Sequence, residues 1–344
     1  MIEIDGSHGE GGGQILRTSL SLSCLLKTPF RIFNIRRGRK RPGLMPQHLT
    51  CVRAATLISN AEMKGDYEGS MELIFKPEEV KFGDYYFDIG TAGSTSLLLQ
   101  SLLPPLIFSE GKSTITLKGG THVPFSPPFH YLSDVFVPML GKLGIKLSLS
   151  IESYGFYPRG GGKITAEIHP TAGKYYNAPL ILLDRGEIRY IKGISGVGKL
   201  PLSIAERQRT SALNILTLQG FQPEIEIIDV PTPGQGTFVF LKAETDTCIA
   251  GFSSLGERGK KAEVVGEEVA KEFLEYYSAD ACLDPHMADQ IVIYLSLASG
   301  ESSFTTSRIS NHLLTSLWII ENFLGVEYKI VGKKGYPGRV TISK

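Results

Sequence analysis

The chain has 344 residues, 42% hydrophobic and 21% charged, which argues against a disordered chain, a collagen-like fibre or a coiled coil and fits about two globular domains. Lys and Arg number 36 against 35 Asp and Glu, a net charge of +1. Contact with nucleic acid must therefore come from a local patch and not from the surface as a whole. In chain order, the first predicted elements are an extended start ending at Asp5, a glycine turn Gly9-Glu10-Gly11-Gly12-Gly13 and an apolar helix through Leu26. A second helical pattern opens at Gln47-His48 and runs into strand-like Met71-ELIF. The order returns at Gly90-TAGSTSLLLQSLLPPLI, Phe129-HYLSDVFVPMLGKLG and Lys146-LSLSIESYGFYPRGGGKITAEI. It returns again at Asp284-PHMADQIVIYLSLAS, Asn311-HLLTSLWIIENFLG and Tyr328-KIVGKKGYPGRVTISK. From Gly9 to His48 is 39 residues, from Gly90 to His130 is 40, and from Asp284 to His312 is 28.

The unit reads as strand, helix, helix and paired strands, a βαβαββ-type unit repeated three times. The fold expected is α/β (α+β): three small units around a pseudo-threefold axis, with helices on one side of each sheet. The stretch 181–276 breaks the pattern with its own strands (Ile188-RYIKGISGV, Phe238-VFLKAE) and helices (Ala205-ERQRTSALNILTLQ, Lys261-AEVVGEEVAKEFLEYY). It reads as an inserted smaller α/β domain, leaving 1–180 and 277–344 as the main body. The most apolar window, 91–108, contains Gly93, Gln100 and Pro104-Pro105 and reads as a buried helix ending at the prolines, not a membrane span. Met1-Ile2-Glu3-Ile4-Asp5 carries no signal-peptide pattern, and Cys24, Cys51, Cys248 and Cys282 form no C-x-x-C pair. Reduced thiols in the cytoplasm are expected, with no zinc site.

Four motifs bear on chemistry. Gly193-ISGVGK-Leu200 imitates a phosphate-binding P-loop, but Leu200 lacks the metal-binding hydroxyl and Pro201 follows at once, so it reads as a decoy. The Gly9–Gly13 turn lets backbone approach an anion at a helix start, with Glu10 able to hold a divalent cation and Arg17 beside the loop. A tight turn with a surface arginine is the alternative. Arg36, Arg37, Arg39, Lys40 and Arg41 place five basic residues in six positions, either a polyphosphate or RNA contact or a solvated loop. No pair among His8, His48, His122, His130, His169, His286 and His312 has metal-ligand spacing. Ser310 or Asn311 can cap a helix beginning at His312, which keeps that imidazole neutral and able to act as a nucleophile. A purely structural histidine fits the same position.

Taken together, Asp5-GSHGEGGGQILR, Arg39-KRPGLMPQHLT, Gly90-TAGST, Gly119-GTHVPFSPP, Gly155-FYPRGGG, Pro285-HMADQ and Asn311-HLLT resemble the RNA 3′-terminal phosphate cyclases along the whole chain. The resemblance implies three units like the C-terminal domain of a bacterial translation initiation factor, plus an insert, and distant kinship with enolpyruvyl transferases. It implies a histidine adenylylated by ATP, transfer of AMP to an RNA 3′-terminal phosphate, and closure of a 2′,3′-cyclic phosphate. ATP, a divalent metal (Mg or Mn) and RNA with a 3′-terminal phosphate are the implied partners; homodimerisation is left open.

By the same resemblance His312 is the adenylylated residue and Glu10 lies near the metal, with Gln14 and Arg17 beside it. Gln100 is a nucleotide contact, and Pro127 and Tyr131 lie around the adenine. His286, Met287, Ala288, Asp289 and Gln290 form an ATP-contacting stretch in which many relatives have tyrosine at the place of His286. Arg36 and Arg39 are expected near the phosphates. Two other classes compete. A non-catalytic cyclase-like scaffold is expected to lack the histidine, and an enolpyruvyl transferase needs no adenine site.

Overall fold

The computed structural model describes residues 1–171 and 179–343. The first unit runs β1 (Ile2–Asp5), α1 (Gly13–Leu26), β2 (Phe30–Phe33), α2 (Pro46–Ser59), β3 (Glu62–Lys64) and β4 (Leu73–Lys76). Its sheet has the order β1-β2-β4-β3, with β1 and β2 parallel and the other pairs antiparallel. The second runs β5 (Asp84–Asp88), α3 (Thr95–Ile107), β6 (Ser113–Gly119), a helical segment, β7 (Leu147–Ser153) and β8 (Gly162–Ile168), in the order β5-β6-β8-β7 with the same senses. The third begins with β9 (Ile181–Leu182), whose sheet is completed far downstream.

Between them lie β10 (Ile188–Gly198), α6 (Leu202–Leu218), β11 (Glu224–Asp229), β12 (Gly236–Thr245), β13 (Ile249–Leu255) and α7 (Ala262–Ser278). These form a separate sheet, β11-β10-β12-β13. The third unit then resumes with α8 (Pro285–Leu295), β14 (Ser302–Thr306), α9 (Asn311–Leu324), β15 (Glu327–Gly332) and β16 (Gly338–Ser343), in the order β9-β14-β16-β15. The three like sheets thus share strand order and strand sense. β9, placed by sequence at the opening of the insert, pairs with β14, and α7 continues to Ser278. The separate sheet therefore starts at Ile188 and not at 181.

Local sequence explains the elements. In β6 the residues Ser113, Ile115, Leu117 and Gly119 are buried and their neighbours are not, so one face meets helices and the other meets solvent. The strand between the two helices of the first unit is short: β2 has four residues, with Phe30 and Ile32 inward. Two elements depart from expectation. Helix α3 does not stop at the prolines; Pro104 and Pro105 lie inside it. An interior proline costs ~3 kcal/mol, but Leu102, Leu103, Leu106 and Ile107 are fully buried, and each contributes ~1.5–3 kcal/mol. The second helix of the second unit is split into α4 (Phe129–Tyr131), a π-helical turn (Leu132–Phe136) and α5 (Val137–Gly141). There the Val137 N–H bonds to the Leu132 carbonyl five residues back. Pro138, at the start of α5, has no N–H with which to continue the ladder.

Helices α1, α3, α8 and α9 pack together across the units, in one continuous core that includes Leu16, Leu99, Ile291 and Leu317. Strand β12 is buried on both faces. Val239 and Leu241 join Phe252, Val269 and Phe273 under α6 and α7. Phe238 faces the second unit instead, with its ring 4.3 Å from His122 and 5.4 Å from His130. The P-loop imitation lies in β10 and the turn after it. A Cβ on Gly193 would stand 2.5 Å from Leu241 Cδ2, and one on Gly196 would stand 2.3 Å from the Phe238 ring. Strand packing by itself accounts for these glycines. No helix among the described residues is long and apolar enough to cross a membrane, and all four cysteines are buried and unbridged.

Gly266 tests this packing. Alanine gains ~1 kcal/mol of helix propensity over glycine, but its Cβ would stand 2.1 Å from the Gln208 carbonyl where α6 crosses α7. Overpacking costs ~1–3 kcal/mol. Gly266→Ala is expected to destabilise the protein, read as a lower denaturation midpoint; a raised midpoint would refute the close crossing.

Candidate active site

The glycine turn leads into α1 without a side-chain cap: Gly12 is the N-cap and makes no capping hydrogen bond. The first N–H groups of α1 are left for an anion. By contrast Asp284 caps α8 and Ser310 caps α9. The turn is stitched to the first turns of α9. The Glu10 N–H donates to Thr315 Oγ1 at 3.0 Å. Gln14 Nε2 donates to Ser316 Oγ at 2.6 Å and, at 3.4 Å, to the His312 carbonyl. Gly9 has φ +57°, and a Cβ there would stand 2.4 Å from Thr315 Oγ1, so glycine is required twice over.

Glu10, Gln14, Arg17, Arg39 and His312 are thereby gathered. Arg39 pairs with Glu10 Oε1 and also donates to the Glu10 carbonyl at 3.0 Å. Glu10 Oε2 is buried without a partner. Arg17 makes no hydrogen bond or ion pair among the described residues; burial lowers its pKa, with Cys51 and Asp289 opposing. A Cβ on Gly13 would stand 2.4 Å from His48 Nε2 and 2.7 Å from Arg17 Nη1, so His48 and Arg17 converge on the start of α1. Sequence reasoning left His48 out of the site. The signal lay in its repeated place, because His48, His130 and His312 each lie near the start of the second helix of their unit.

These three histidines differ in surroundings. Burial, then Arg17 and Arg36, hold His48 at a pKa of about 3, with its Nδ1 accepting from the Met45 N–H at 3.1 Å. Burial holds His130 at about 4 among aromatic rings, its Nε2 3.1 Å from the Tyr154 hydroxyl. Both are 8% exposed. His312 is the solvent-exposed one. Partial desolvation, then Arg17, His286 and Arg39, lower its pKa, so its ring is neutral at pH 7.

The remaining sequence candidates fall around this centre in different ways. The amides of Gln100 and Gln290 hydrogen-bond to each other, which joins α3 to α8. Burial raises the Asp289 carboxyl to about 7 against the pull of His286; Asp284 adds to the rise and Arg17 opposes it. Met287 and Ala288 are fully buried in the core of α8. Tyr131 is 1% exposed, and its hydroxyl donates to Asp284 at 2.9 Å. Its visible role is to steady the cap of α8. Pro127 is half-buried on the loop before α4. Arg36, at φ +53°, donates to the carbonyls of Arg41 and Gly43 and so clamps the basic loop. His286 lies at the first turn of α8, facing Glu272 on α7.

A divalent cation would find one carboxylate here. No group of three or more His, Cys, Asp and Glu suited to a metal occurs among the described residues. The unpartnered Glu10 Oε2 nonetheless fits an ion that brings waters and phosphate oxygens as its other ligands, as Mg²⁺ does.

Fold and site together define a mixed α/β protein with a cationic, glycine-lined and uncapped helix start beside a neutral, exposed histidine. A family model described as RNA 3′-terminal phosphate cyclase matches residues 8–330. A protein from Staphylothermus marinus named RNA 3′-terminal phosphate cyclase is 43% identical over 351 residues, covering 99% of this chain and 98% of its own. One of the same name from Sulfurisphaera tokodaii is 47% identical over 339 residues, covering 98% of each. The chain belongs to the RNA 3′-terminal phosphate cyclase family of enzymes.

The unpaired Arg17 gives a direct test. Inorganic pyrophosphate at ~100 times its dissociation constant should stabilise the protein by ~2.7 kcal/mol and raise its melting temperature. Arg17→Met should lose most of that rise, and an undiminished rise would place the anion elsewhere.

Proposed function

We propose that this chain uses ATP to convert the 3′-terminal phosphate of an RNA into a 2′,3′-cyclic phosphate. The observation that carries this reading is the one exposed histidine of three in like positions, set between an unpaired arginine and an uncapped helix start. In the proposed first step a neutral ring nitrogen of His312 attacks the α-phosphorus of ATP. An N–P bond forms, the bond to the β-phosphate oxygen breaks, pyrophosphate leaves, and the ring sheds its N–H proton. An oxygen of the RNA 3′-phosphate then attacks the same phosphorus and breaks the N–P bond, giving an RNA-pp-A end. The neighbouring 2′-hydroxyl attacks the phosphorus of the RNA 3′-phosphate and loses its proton, the anhydride bond to the AMP oxygen breaks, and AMP leaves.

Arg17, Arg39 and the first N–H groups of α1 would neutralise the polyphosphate. Glu10 would hold Mg²⁺ or Mn²⁺, which spreads the charge of the leaving group. Gln100, Asp289, Gln290 and Pro127 would lie on the nucleoside side, while Arg36 would act through the shape of the basic loop. We read the three like units as one repeated about a pseudo-threefold axis, with 188–278 as an accessory unit. Four unbridged cysteines support a cytoplasmic setting.

His312→Ala is expected to abolish both covalent labelling by ATP carrying an α-phosphate label and cyclisation of a 3′-phosphorylated RNA. The parent label should be labile in acid and stable in alkali. Because the His312 pKa is lowered, the neutral nucleophile persists as pH falls, so the acid limb of the labelling rate should lie below the ordinary histidine value of ~6.5. A labelled His312→Ala protein would remove the nucleophile assignment.

The exposed Lys40 and Arg41 should meet the RNA backbone. Each neutralisation should reduce the salt slope of RNA binding by ~0.7 and leave self-labelling nearly unchanged. An unaltered slope in the double variant would leave the run a solvated loop.

A further inference from the structure

One side chain at the site comes from outside the three like units. Glu272 Oε1, on α7, lies 3.7 Å from His286 Nε2 on α8. The imidazole is 51% exposed and the carboxylate 28%. The Tyr131 ring, from α4, meets the imidazole edge-on with centroids 6.1 Å apart. His286 Nδ1 has no hydrogen-bond partner among the described residues. Among the charged groups that act on this ring, Glu272 comes from α7, Asp284 and Asp289 from α8, and His312 from α9.

A helix N-terminus disfavours a cation, and burial alone would lower the His286 pKa. Glu272 first, then Asp284 and Asp289, outweigh burial and raise it above the ordinary histidine value. The ring is therefore an imidazolium at pH 7, with its Nε2 facing Glu272 at ion-pair distance and its Nδ1 unclaimed. Asp284 is already committed to the N–H groups of His286 and Met287 and to the Tyr131 hydroxyl. Glu272 is left as the carboxylate paired with the ring.

We propose that Glu272 is a positioning residue for the nucleotide: it holds His286 at the start of α8 so that the free ring N–H donates to an acceptor on ATP. This rests on the ATP reading above and deepens it, because it gives the accessory unit a part in nucleotide binding. Here a charged ring and its counter-charge come from two different units, so the docking of α7 on α8 becomes a condition of ATP affinity.

The test is the ATP dissociation constant of the full chain as a function of pH, for the parent, Glu272→Gln, His286→Tyr and the double variant. Histidine ring titration by NMR in ligand-free protein accompanies it. Parent affinity should hold through neutral pH and weaken only above the ordinary histidine value. Glu272→Gln removes the main raising influence, so its alkaline limb should move toward lower pH and its affinity should be about fivefold weaker at pH ~8. The ring titration should move the same way. Glu272→Asp should keep most of the parent limb. In the His286→Tyr background, Glu272→Gln should change nothing further.

An equal loss in that background would show a merely structural role and overturn the proposal, as would an unshifted limb in Glu272→Gln. If Glu272→Gln does not fold, His286→Gln must by itself remove the alkaline limb, and a limb that persists also overturns it. A parent that binds no ATP at any pH would overturn the ATP reading itself. The two failures stay distinct, because the ligand-free titration still reports whether Glu272 and His286 are paired.

Discussion

The hydrogen bond from the Glu10 N–H to the Thr315 hydroxyl joins residues 305 positions apart, and the site depends on it. It can form only because residue 9 has no side chain. With Gln14 on Ser316, it sets the uncapped start of α1 against the first turns of α9. Arg17, Glu10 and His312 would otherwise be unrelated features of two amphipathic helices. Once they are joined, their charges do not balance. Arg39 is matched by half of Glu10, the other half of that carboxylate is unpartnered, and Arg17 is matched by nothing within hydrogen-bond reach. A polyanion with an associated cation is the component that would complete the set.

The like units make a natural comparison. His48, His130 and His312 hold corresponding places, yet two are sealed by neighbouring side chains and held neutral far below physiological pH. Burial among rings makes His130 part of the packing between the second unit and β12. His48 instead lies under the start of α1, where it supports the backbone on which an anion would rest. Only the third keeps both a depressed pKa and access to solvent. The same local sequence signal, a histidine at a helix start, is thus sealed or left open to solvent according to what covers it.

This contrast also marks what could be read in advance. The long helices and the hairpins at residues 147–168 and 327–343 are legible, because their apolar periodicity extends over many residues. So is the strand through Ile188–Val197 that carries the P-loop imitation. The edge of the insert is not, since two residues of β9 find their partner only in β14, more than a hundred positions later. The passage of α3 through Pro104-Pro105 is not legible either, because tertiary burial overrides local preference. Arg36 illustrates a further limit. Sequence shows its charge but not that its donors are spent on the carbonyls of its own loop. The pairing of His286 with Glu272 is hidden for the same reason as the Glu10–Thr315 contact: nothing local in either partner announces the other.

The distance in sequence between Glu10 and Thr315 has a temporal side. During synthesis the glycine turn emerges long before α9 exists. At ~5–20 residues per second, a separation of 305 residues corresponds to ~15–60 s on the ribosome. Throughout that interval the nascent chain carries Arg17 and the basic loop without the histidine that would give them a task. On the proposed reading, chemical competence therefore arrives as one of the last events of biogenesis, when α9 closes onto the turn. A chain shortened before α9 would keep two of the three like units and lack both His312 and the Thr315 hydroxyl that holds the glycine turn.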